Sequence, residues 1–239
     1  MADLGFLTRV PFAHRGLHSQ GIVENSRASW EAAVAAGHGI ECDVVVSGDG
    51  VAMVFHDYRL KRLTGTKGAM GGKKAADLGK IKLAGCDETV PTLAEMLALL
   101  ADRAPLLIEI KFRGARVANL CRSVAAALHG YRGEAAVMSF NPEVGRWFAI
   151  KAPDIVRGLV VSERGEGSFV ERMKGPMSRS LSVFRAKPHF LAYDIRDLPS
   201  GFAAPLRAGG MPVLTWTVRT PAQIATARDH ADQIIYEPA

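Results

Sequence analysis

The fold follows from the stretch Gly39-Ile-Glu-Cys-Asp-Val-Val-Val46, the turn residues Gly48-Asp-Gly50 and the run Val51-Ala-Met-Val-Phe55. Two short β-branched runs on either side of a Gly-Asp-Gly turn predict a β-hairpin. Glu41 and Asp43 interrupt the first run. Because alternate residues of a strand share one face, these two carboxylates are expected to be neighbours. Like charges held so close require a cation or a shared proton.

Outward from this hairpin, short apolar runs alternate with helical stretches along the whole chain. The other candidate strands are 10–14, 105–111, 135–140, 156–161, 190–193, 212–217 and 233–236. The helical stretches are 24–36, 93–102, 114–129, 142–151 and 221–230. Such alternation indicates parallel strands joined by helices. We therefore predict an α/β fold, a TIM (β/α)8 barrel with a β-hairpin after strand 2, and keep a doubly wound sheet as the alternative.

Residues 58–90 interrupt the alternation. They are rich in Gly and Lys, have weak periodicity and are too long for an ordinary βα loop. We expect a small insertion here that influences the choice of substrate, because it follows a strand that ends at the barrel rim. No repeat or linker divides the rest, so residues 1–239 are expected to form a single domain.

The composition excludes several classes of protein. Of the 239 residues, 48% are apolar, which excludes a disordered chain. The net charge is +6, from 30 basic and 24 acidic residues. The basic residues are scattered and lack interleaved aromatics, so a solvated surface is favoured over a nucleic-acid interface.

The cysteines and the apolar runs indicate the compartment of the protein. The three cysteines form no CxxC pair, which predicts reduced thiols and no zinc site built on them. The N-terminus lacks a signal-peptide pattern, and no apolar run approaches the ~18–20 residues of a membrane span. We expect a cytoplasmic protein without stable membrane insertion. The sequence makes no prediction of the oligomeric state.

Charged side chains cluster at the ends of the predicted strands, where a barrel carries its active site. They are His14, Arg15, Glu41, Asp43, His56, Glu109 and Lys111. Three carboxylates without a Cys ligand make a hard oxygen site for Mg²⁺ or Ca²⁺. An Arg and a Lys beside it form an anion site, and two His supply a proton donor and acceptor. Together these groups suit the cleavage of a phosphodiester.

A series of short motifs in fixed order resembles the glycerophosphodiester phosphodiesterase family. The motifs are His14-Arg-Gly16, Glu24-Asn-Ser26, Glu41-Cys-Asp43-Val44, Val54-Phe-His56-Asp57, Leu60-Lys-Arg62-Leu-Thr-Gly65, Val90-Pro-Thr-Leu93, Ile108-Glu109-Ile-Lys111, Ser139-Phe140 and Thr215-Trp216-Thr217. Each block is weak alone, but the ordered set spans nearly the whole chain.

The resemblance implies a metal-dependent hydrolysis of glycerophosphodiesters, such as glycerophosphocholine and glycerophosphoethanolamine, to sn-glycerol 3-phosphate and an alcohol. In that family the glycerol hydroxyl of the substrate attacks phosphorus, and water opens the resulting cyclic phosphate. By this resemblance, the residues have the following roles: Glu41, Asp43 and Glu109 are metal ligands, His14 and His56 are the acid–base pair, Arg15 and Lys111 bind phosphate, and Asn25 and Trp216 support the substrate site.

The C-terminal end departs from the family pattern. It reads Ile235-Tyr-Glu237-Pro238, where the family more often has Thr-Asp-x-Pro. We leave Glu237 out of the site and expect a structural or supporting role for it. No helix follows Pro238, so an N-terminal segment or an open barrel face is expected to compensate.

Two other functions stay open at this point. One is a related barrel phosphodiesterase that acts on lysophospholipids, for which Leu60, Leu63 and Met70 offer a modest apolar cleft. The other is a non-catalytic basic protein that binds a membrane or nucleic acid and keeps a vestigial barrel. The second is disfavoured because every expected ligand and both His are present.

Overall fold

A closed barrel of parallel strands forms the body of the computed structural model, which describes residues 3–112, 116–164 and 176–238. Its strands are β1 (Phe12–Ala13), β2 (Gly39–Val46), β4 (Leu106–Ile110), β5 (Ala135–Ser139), β6 (Val156–Val161), β7 (Phe190–Asp194), β8 (Val213–Val218) and β9 (Gln233–Tyr236). Strand β1 pairs in parallel with both β2 and β9, which closes the barrel. The predicted TIM barrel is confirmed, and the open doubly wound sheet is excluded.

The predicted hairpin is also confirmed, and it sets the position of two carboxylates. Strand β3 (Ala52–Val54) runs antiparallel to β2, with Val45 opposite Met53. On its other edge β2 pairs with β4 in a register that places Asp43 beside Glu109. Because Glu41 lies two residues before Asp43, all three carboxylates point to the same side of the sheet.

Helices lie before, between and after the strands of the barrel. They are α1 (Phe6–Arg9), α2 (Arg27–Ala35), α3 (Lys61–Thr64), α4 (Ala75–Leu78), α5 (Leu93–Leu100), α6 (Ala118–Leu128), α7 (Pro142–Lys151), α8 (Pro176–Ala186), α9 (Ala203–Ala208) and α10 (Pro221–His230). The stretches predicted as helical correspond to α2, α5, α6, α7 and α10, although residues 114–115 lie outside the described residues. In the part of the chain that the structure describes, no helix is long and apolar enough to cross a bilayer.

The insertion after the hairpin has a small core of its own. Leu60, Leu63 and Met70 are buried there together with Phe55 of the hairpin segment. Its tip packs on the hairpin turn, where the Gly48 amide donates a hydrogen bond to the Lys73 carbonyl at 2.7 Å. The expected apolar cleft is therefore not formed by these three side chains, because their surface is already covered.

The N-terminal segment covers part of the barrel interior. Phe6 and Leu7 of α1 are buried in the same apolar cluster as Phe12 of β1 and Ile235 of β9. The Gln233 side chain also donates a hydrogen bond to the Thr8 carbonyl at 2.9 Å. The N-terminal segment therefore packs against the first and last strands of the barrel.

A capping box opens α5 and generates a stability prediction. The Thr92 hydroxyl accepts a hydrogen bond from the Glu95 amide at 3.1 Å, and the Glu95 carboxylate accepts one from the Thr92 amide at 2.7 Å. We expect Thr92→Ala to lower the free energy of unfolding by about 1 kcal/mol, measured by urea denaturation. Thr226→Ala, at an exposed position inside α10, is the control and should leave stability unchanged or slightly higher. Equal losses in both variants would contradict the capping role.

Candidate active site

Three buried carboxylates lie together at the centre of the site. One oxygen each of Glu41, Asp43 and Glu109 lies within 4.8 Å of the others, and all three residues are buried. Their closeness follows from the strand register, since β2 and β4 are hydrogen-bonded neighbours. The structure thus brings together the three residues predicted as metal ligands.

Two cations compensate part of this negative charge. Lys111 Nζ lies 3.3 Å from Asp43 Oδ1 and 3.1 Å from Glu109 Oε1. Arg15 Nε lies 3.2 Å from Asp43 Oδ2 on the other side. Burial alone would raise the pKa of Asp43, but the positive charges of Lys111 and Arg15 outweigh it and hold that pKa well below its usual value. Asp43 is therefore ionised.

Glu41 has less compensation than Asp43. Burial, followed by the negative charges of Asp43 and Glu109, raises the pKa of Glu41 well above its usual value. Its Oε2 accepts a hydrogen bond from the Arg15 amide at 3.0 Å. Within the described residues, its Oε1 is buried without a hydrogen-bond partner. A buried, partnerless carboxylate oxygen among three oxygen ligands fits a hard divalent cation.

The turn after β1 has a strained backbone that aims its amide at Glu41. Arg15 has a φ of 57°, in the left-handed region that residues with side chains seldom adopt. Gly16 follows with a φ of 79°, and a Cβ there would lie 2.4 Å from Ser29 Oγ. Only glycine fits at this position, because a side chain would collide with α2. The glycine thus allows the turn and α2 to lie close together.

The two histidines are held in the same way. His14 Nδ1 lies 2.6 Å from Glu237 Oε1, and Glu237 Oε2 accepts a hydrogen bond from Arg219 Nε at 2.6 Å. Burial would raise the pKa of Glu237, but its hydrogen bonds to His14 and Arg219 lower it well below the usual value. Each oxygen of Glu237 thus has its own cationic or hydrogen-bonding partner.

The second histidine is also held by a carboxylate that pairs with an arginine. His56 Nδ1 lies 2.8 Å from Asp57 Oδ1, and Asp57 Oδ2 accepts a hydrogen bond from Arg62 Nε at 2.5 Å. Glu24 joins Arg62 to Arg15, at 2.7 Å and 3.0 Å. A carboxylate at Nδ1 favours the tautomer with the proton on that nitrogen. Nε2 of each ring is then the nitrogen that can exchange a proton with a bound molecule.

A cavity of about 290 Å³ opens above these groups. It is lined by His14, Arg15, Glu41, His56, Glu109, Lys111, Met138, Phe140, Val160, Asp194, Ile195, Arg196, Trp216, Thr217, Arg219, Gln223 and Ile235. Seven of the nine residues predicted for the site by their chemistry or by resemblance thus line the cavity, and Asp43 contacts three of them, Arg15, Glu109 and Lys111. No residue of 58–90 is among the lining residues, so the structure gives no support to an insertion that selects the substrate.

Asn25 and Trp216 are placed differently from each other. Asn25 is buried behind the carboxylates, where its Nδ2 donates to Asp43 Oδ2 at 3.1 Å, and it does not line the cavity. Asn25 is therefore linked to the carboxylates through Asp43, and its predicted role at the substrate site stays a prediction. Trp216 faces the cavity, anchored by a hydrogen bond from Nε1 to the Ala192 carbonyl at 2.9 Å and packed edge-on against Phe140.

Sequence reasoning left out the residues that hold the histidines. Glu237 and Arg219 each follow directly after a barrel strand, β9 and β8, so their rim position was a usable signal. Arg62, in the short helix α3, and Glu24, in the loop before α2, gave no such signal, because neither follows a barrel strand. Ser139, at the end of β5, donates a hydrogen bond to the Ile110 carbonyl at 2.7 Å and joins neighbouring strands.

Comparisons with known proteins show which family this chain resembles. The model of the glycerophosphoryl diester phosphodiesterase family matches residues 14–235. The probable glycerophosphodiester phosphodiesterase 2 of Mycobacterium tuberculosis is 28% identical over 209 residues, which are 87% of this chain and 72% of that protein. A glycerophosphodiester phosphodiesterase of Caldanaerobacter subterraneus is 32% identical over 160 residues, covering 62% of this chain and 65% of that one.

Solved structures share the fold. A phosphodiesterase of Oleispira antarctica, solved in complex with the product sn-glycerol-3-phosphate, has a TM-score of 0.81 at 24% identity, covering 95% of this chain and 93% of that one. A glycerophosphodiester phosphodiesterase of Parabacteroides distasonis has a TM-score of 0.78 at 23% identity, covering 95% and 92%.

The chain belongs to the glycerophosphoryl diester phosphodiesterase family. The enzyme class expected from the ordered motifs, a glycerophosphodiester phosphodiesterase, is confirmed.

The raised pKa of Glu41 predicts how the stability of the metal-free protein depends on pH. A carboxyl group whose pKa is raised by folding stabilises the native state below its unfolded pKa of about 4.5, and that contribution is lost as the pH rises through the folded pKa. In EDTA, the free energy of unfolding should therefore fall with rising pH more steeply than in Glu41→Gln. Saturating Mg²⁺ or Ca²⁺ should remove much of this difference by binding the ionised carboxylates.

Urea denaturation at several pH values, with EDTA or with the divalent ion, measures this effect. Asp87→Asn, on an exposed side chain of the insertion, serves as the matched carboxylate control and should follow the wild type. Parallel pH curves for wild type and Glu41→Gln in EDTA would contradict the uncompensated charge at Glu41.

Proposed function

We propose that this enzyme hydrolyses glycerophosphodiesters to sn-glycerol 3-phosphate and an alcohol, and that it uses a divalent cation. The observation that carries the proposal is the convergence of three carboxylates, Arg15, Lys111 and two histidines on one small cavity. The product bound to the Oleispira antarctica relative supports the same substrate class.

Glu41, Asp43 and Glu109 would hold the cation. Their donors are all oxygens, and the partnerless Glu41 Oε1 gives a reason for a cation in addition to Lys111 and Arg15. Mg²⁺ and Ca²⁺ both suit such donors. When bound, the ion supplies positive charge against the phosphoryl oxygens.

Arg15 and Lys111 would bind the phosphate from the protein side. Both line the cavity, and both are held in place by ion pairs with carboxylates beneath them. Fixed cations stabilise charge that builds up on the phosphoryl oxygens without having to reorganise during the reaction. The planar Arg15 side chain can pair with two oxygens, while Lys111 acts as a point charge.

His14 and His56 would move the protons. Displacement at phosphorus is in line, so the attacking and leaving oxygens lie on opposite sides of the phosphate. Two imidazoles on one cavity, each oriented by its own carboxylate, can serve the two sides. One would accept the proton of the attacking hydroxyl through Nε2, and the other would protonate the leaving oxygen.

The cavity favours a small polar substrate over a lysophospholipid. At about 290 Å³ it matches the lower limit for ligand pockets, and charged residues make up much of its wall. The apolar side chains of the insertion are buried in their own core and cannot receive an acyl chain. The residues at its mouth, among them Phe140, Arg196 and Trp216, are those that would contact the head group.

The proposal is tested by the release of sn-glycerol 3-phosphate from glycerophosphodiesters with several head groups. We expect turnover that EDTA abolishes and that Mg²⁺ or Ca²⁺ restores. Arg15→Lys should lose most of kcat/KM because a lysine cannot replace the planar fork. The matched control is Arg103→Lys, a surface arginine that pairs with Glu31 away from the cavity and should retain activity.

Full activity in a thoroughly metal-stripped sample would reject the role of the cation. Release of the head-group alcohol from lysophospholipids, with no turnover of glycerophosphodiesters, would favour the lysophospholipid hypothesis instead.

The proposed roles of the two histidines lead to a separate prediction. Each His→Ala variant should lose about 10²–10⁴-fold in kcat, since this is the usual contribution of a general acid or base. A substrate with p-nitrophenol as its leaving group needs no protonation, so it should restore activity to the variant that lacks the acid and not to the other. Steady-state kinetics on both substrates measure this rescue. Equal rescue of both variants, or of neither, would overturn the two-histidine scheme.

A further inference from the structure

A second group of metal-binding side chains lies next to the carboxylates. His14, His18 and Glu237 each have a ligand atom within 4.8 Å of the others. Two imidazoles and one carboxylate form a donor set of different chemistry from the three carboxylates. Imidazole nitrogen suits Zn²⁺, whereas Mg²⁺ and Ca²⁺ prefer oxygen.

The surroundings of His18 give independent support for a metal site here. Its Nε2 is buried and, in the described part of the chain, makes no hydrogen bond. That nitrogen lies 3.9 Å from Glu237 Oε1, too far for a hydrogen bond but close to the spacing of two ligands on one zinc ion. A buried ring nitrogen without a partner, facing a carboxylate, has a place for a ligand.

The same carboxylate oxygen also meets the catalytic histidine. His14 Nδ1 lies 2.6 Å from Glu237 Oε1, and Arg219 holds the other oxygen of Glu237. The side chains of His14, His18 and Glu237 are 12%, 25% and 18% exposed, and His14 lines the cavity, so an ion can reach them from solvent.

We propose that His14, His18 and Glu237 form a zinc site, distinct from the carboxylate site, and that zinc bound there inhibits the enzyme. The inhibitory part rests on the proposed role of His14, whereas the binding part does not.

The reason for inhibition is the tautomer of His14. Zinc coordinates a nitrogen that carries no proton. The single proton of the neutral ring must therefore move from Nδ1 to Nε2 by exchange with solvent, and the hydrogen bond to Glu237 is replaced by one bond from zinc to Nδ1 and one bond from zinc to the carboxylate. A ring with zinc on Nδ1 and a proton on Nε2 can no longer accept a proton from a substrate.

His18→Asn tests the site without changing a residue of the catalytic machinery, because His18 does not line the cavity. Zinc binding is measured on metal-stripped protein, with Mg²⁺ present in excess, by competition with a chromophoric chelator. We expect wild type to bind one zinc ion and His18→Asn to bind it at least 10-fold more weakly. His129→Asn, at the exposed end of α6, is the matched control and should bind like the wild type.

Inhibition is measured in the same conditions on a glycerophosphodiester. Zinc should slow the wild type and His129→Asn but should leave His18→Asn active at the same concentrations. Circular dichroism should show that the wild type and both variants are folded. Equal zinc affinity in all three proteins would overturn the site. The site would also be overturned if zinc still inhibited His18→Asn and more Mg²⁺ relieved that inhibition. Zinc would then act at the three carboxylates. Zinc that binds through His18 without slowing turnover would overturn the inhibitory role. If no glycerophosphodiester is turned over, the chelator competition still decides the site.

Discussion

The structure depends on the burial of three carboxylates side by side on two neighbouring strands. Glu41, Asp43 and Glu109 are nearly inaccessible to water, and their mutual repulsion must be offset inside the protein. Lys111 and Arg15 offset part of it, and they leave Glu41 with a raised pKa and a partnerless oxygen. This residual imbalance is the physical basis for our proposal that the site binds a divalent cation.

Positive and negative side chains alternate in a chain of ion pairs that leads away from the three carboxylates. Arg15 contacts Glu24, Glu24 contacts Arg62, and Arg62 contacts the Asp57 carboxylate that orients His56. On the other side Arg219 and Glu237 orient His14 in the same manner. Each carboxylate in the chain therefore lies between two positive or hydrogen-bonding groups. Such a network favours a proton on Nδ1 of both imidazoles and holds the direction of both rings.

Glu237 shows how a small departure from a family pattern can be accommodated. The sequence comparison left this residue outside the site, yet its longer side chain reaches His14 Nδ1, Arg219 and the vicinity of His18. The insertion was predicted to influence the choice of substrate. It lies next to the hairpin, but its apolar side chains are buried in its own core. Contacts at the cavity mouth come instead from residues after the later strands.

The sequence by itself determined the strands, the main helices, the barrel and the carboxylate pair. These features depend on local patterns: β-branched runs, a Gly-Asp-Gly turn, the capping box at Thr92 and the two-residue spacing of Glu41 and Asp43. Only the tertiary structure decided that Asp43 lies beside Glu109, that Asn25 is buried behind Asp43, and that Glu237 reaches His14 across 223 positions. Strand register and loop path set these contacts. Both are fixed by packing between segments far apart in the chain, about which local patterns carry no information.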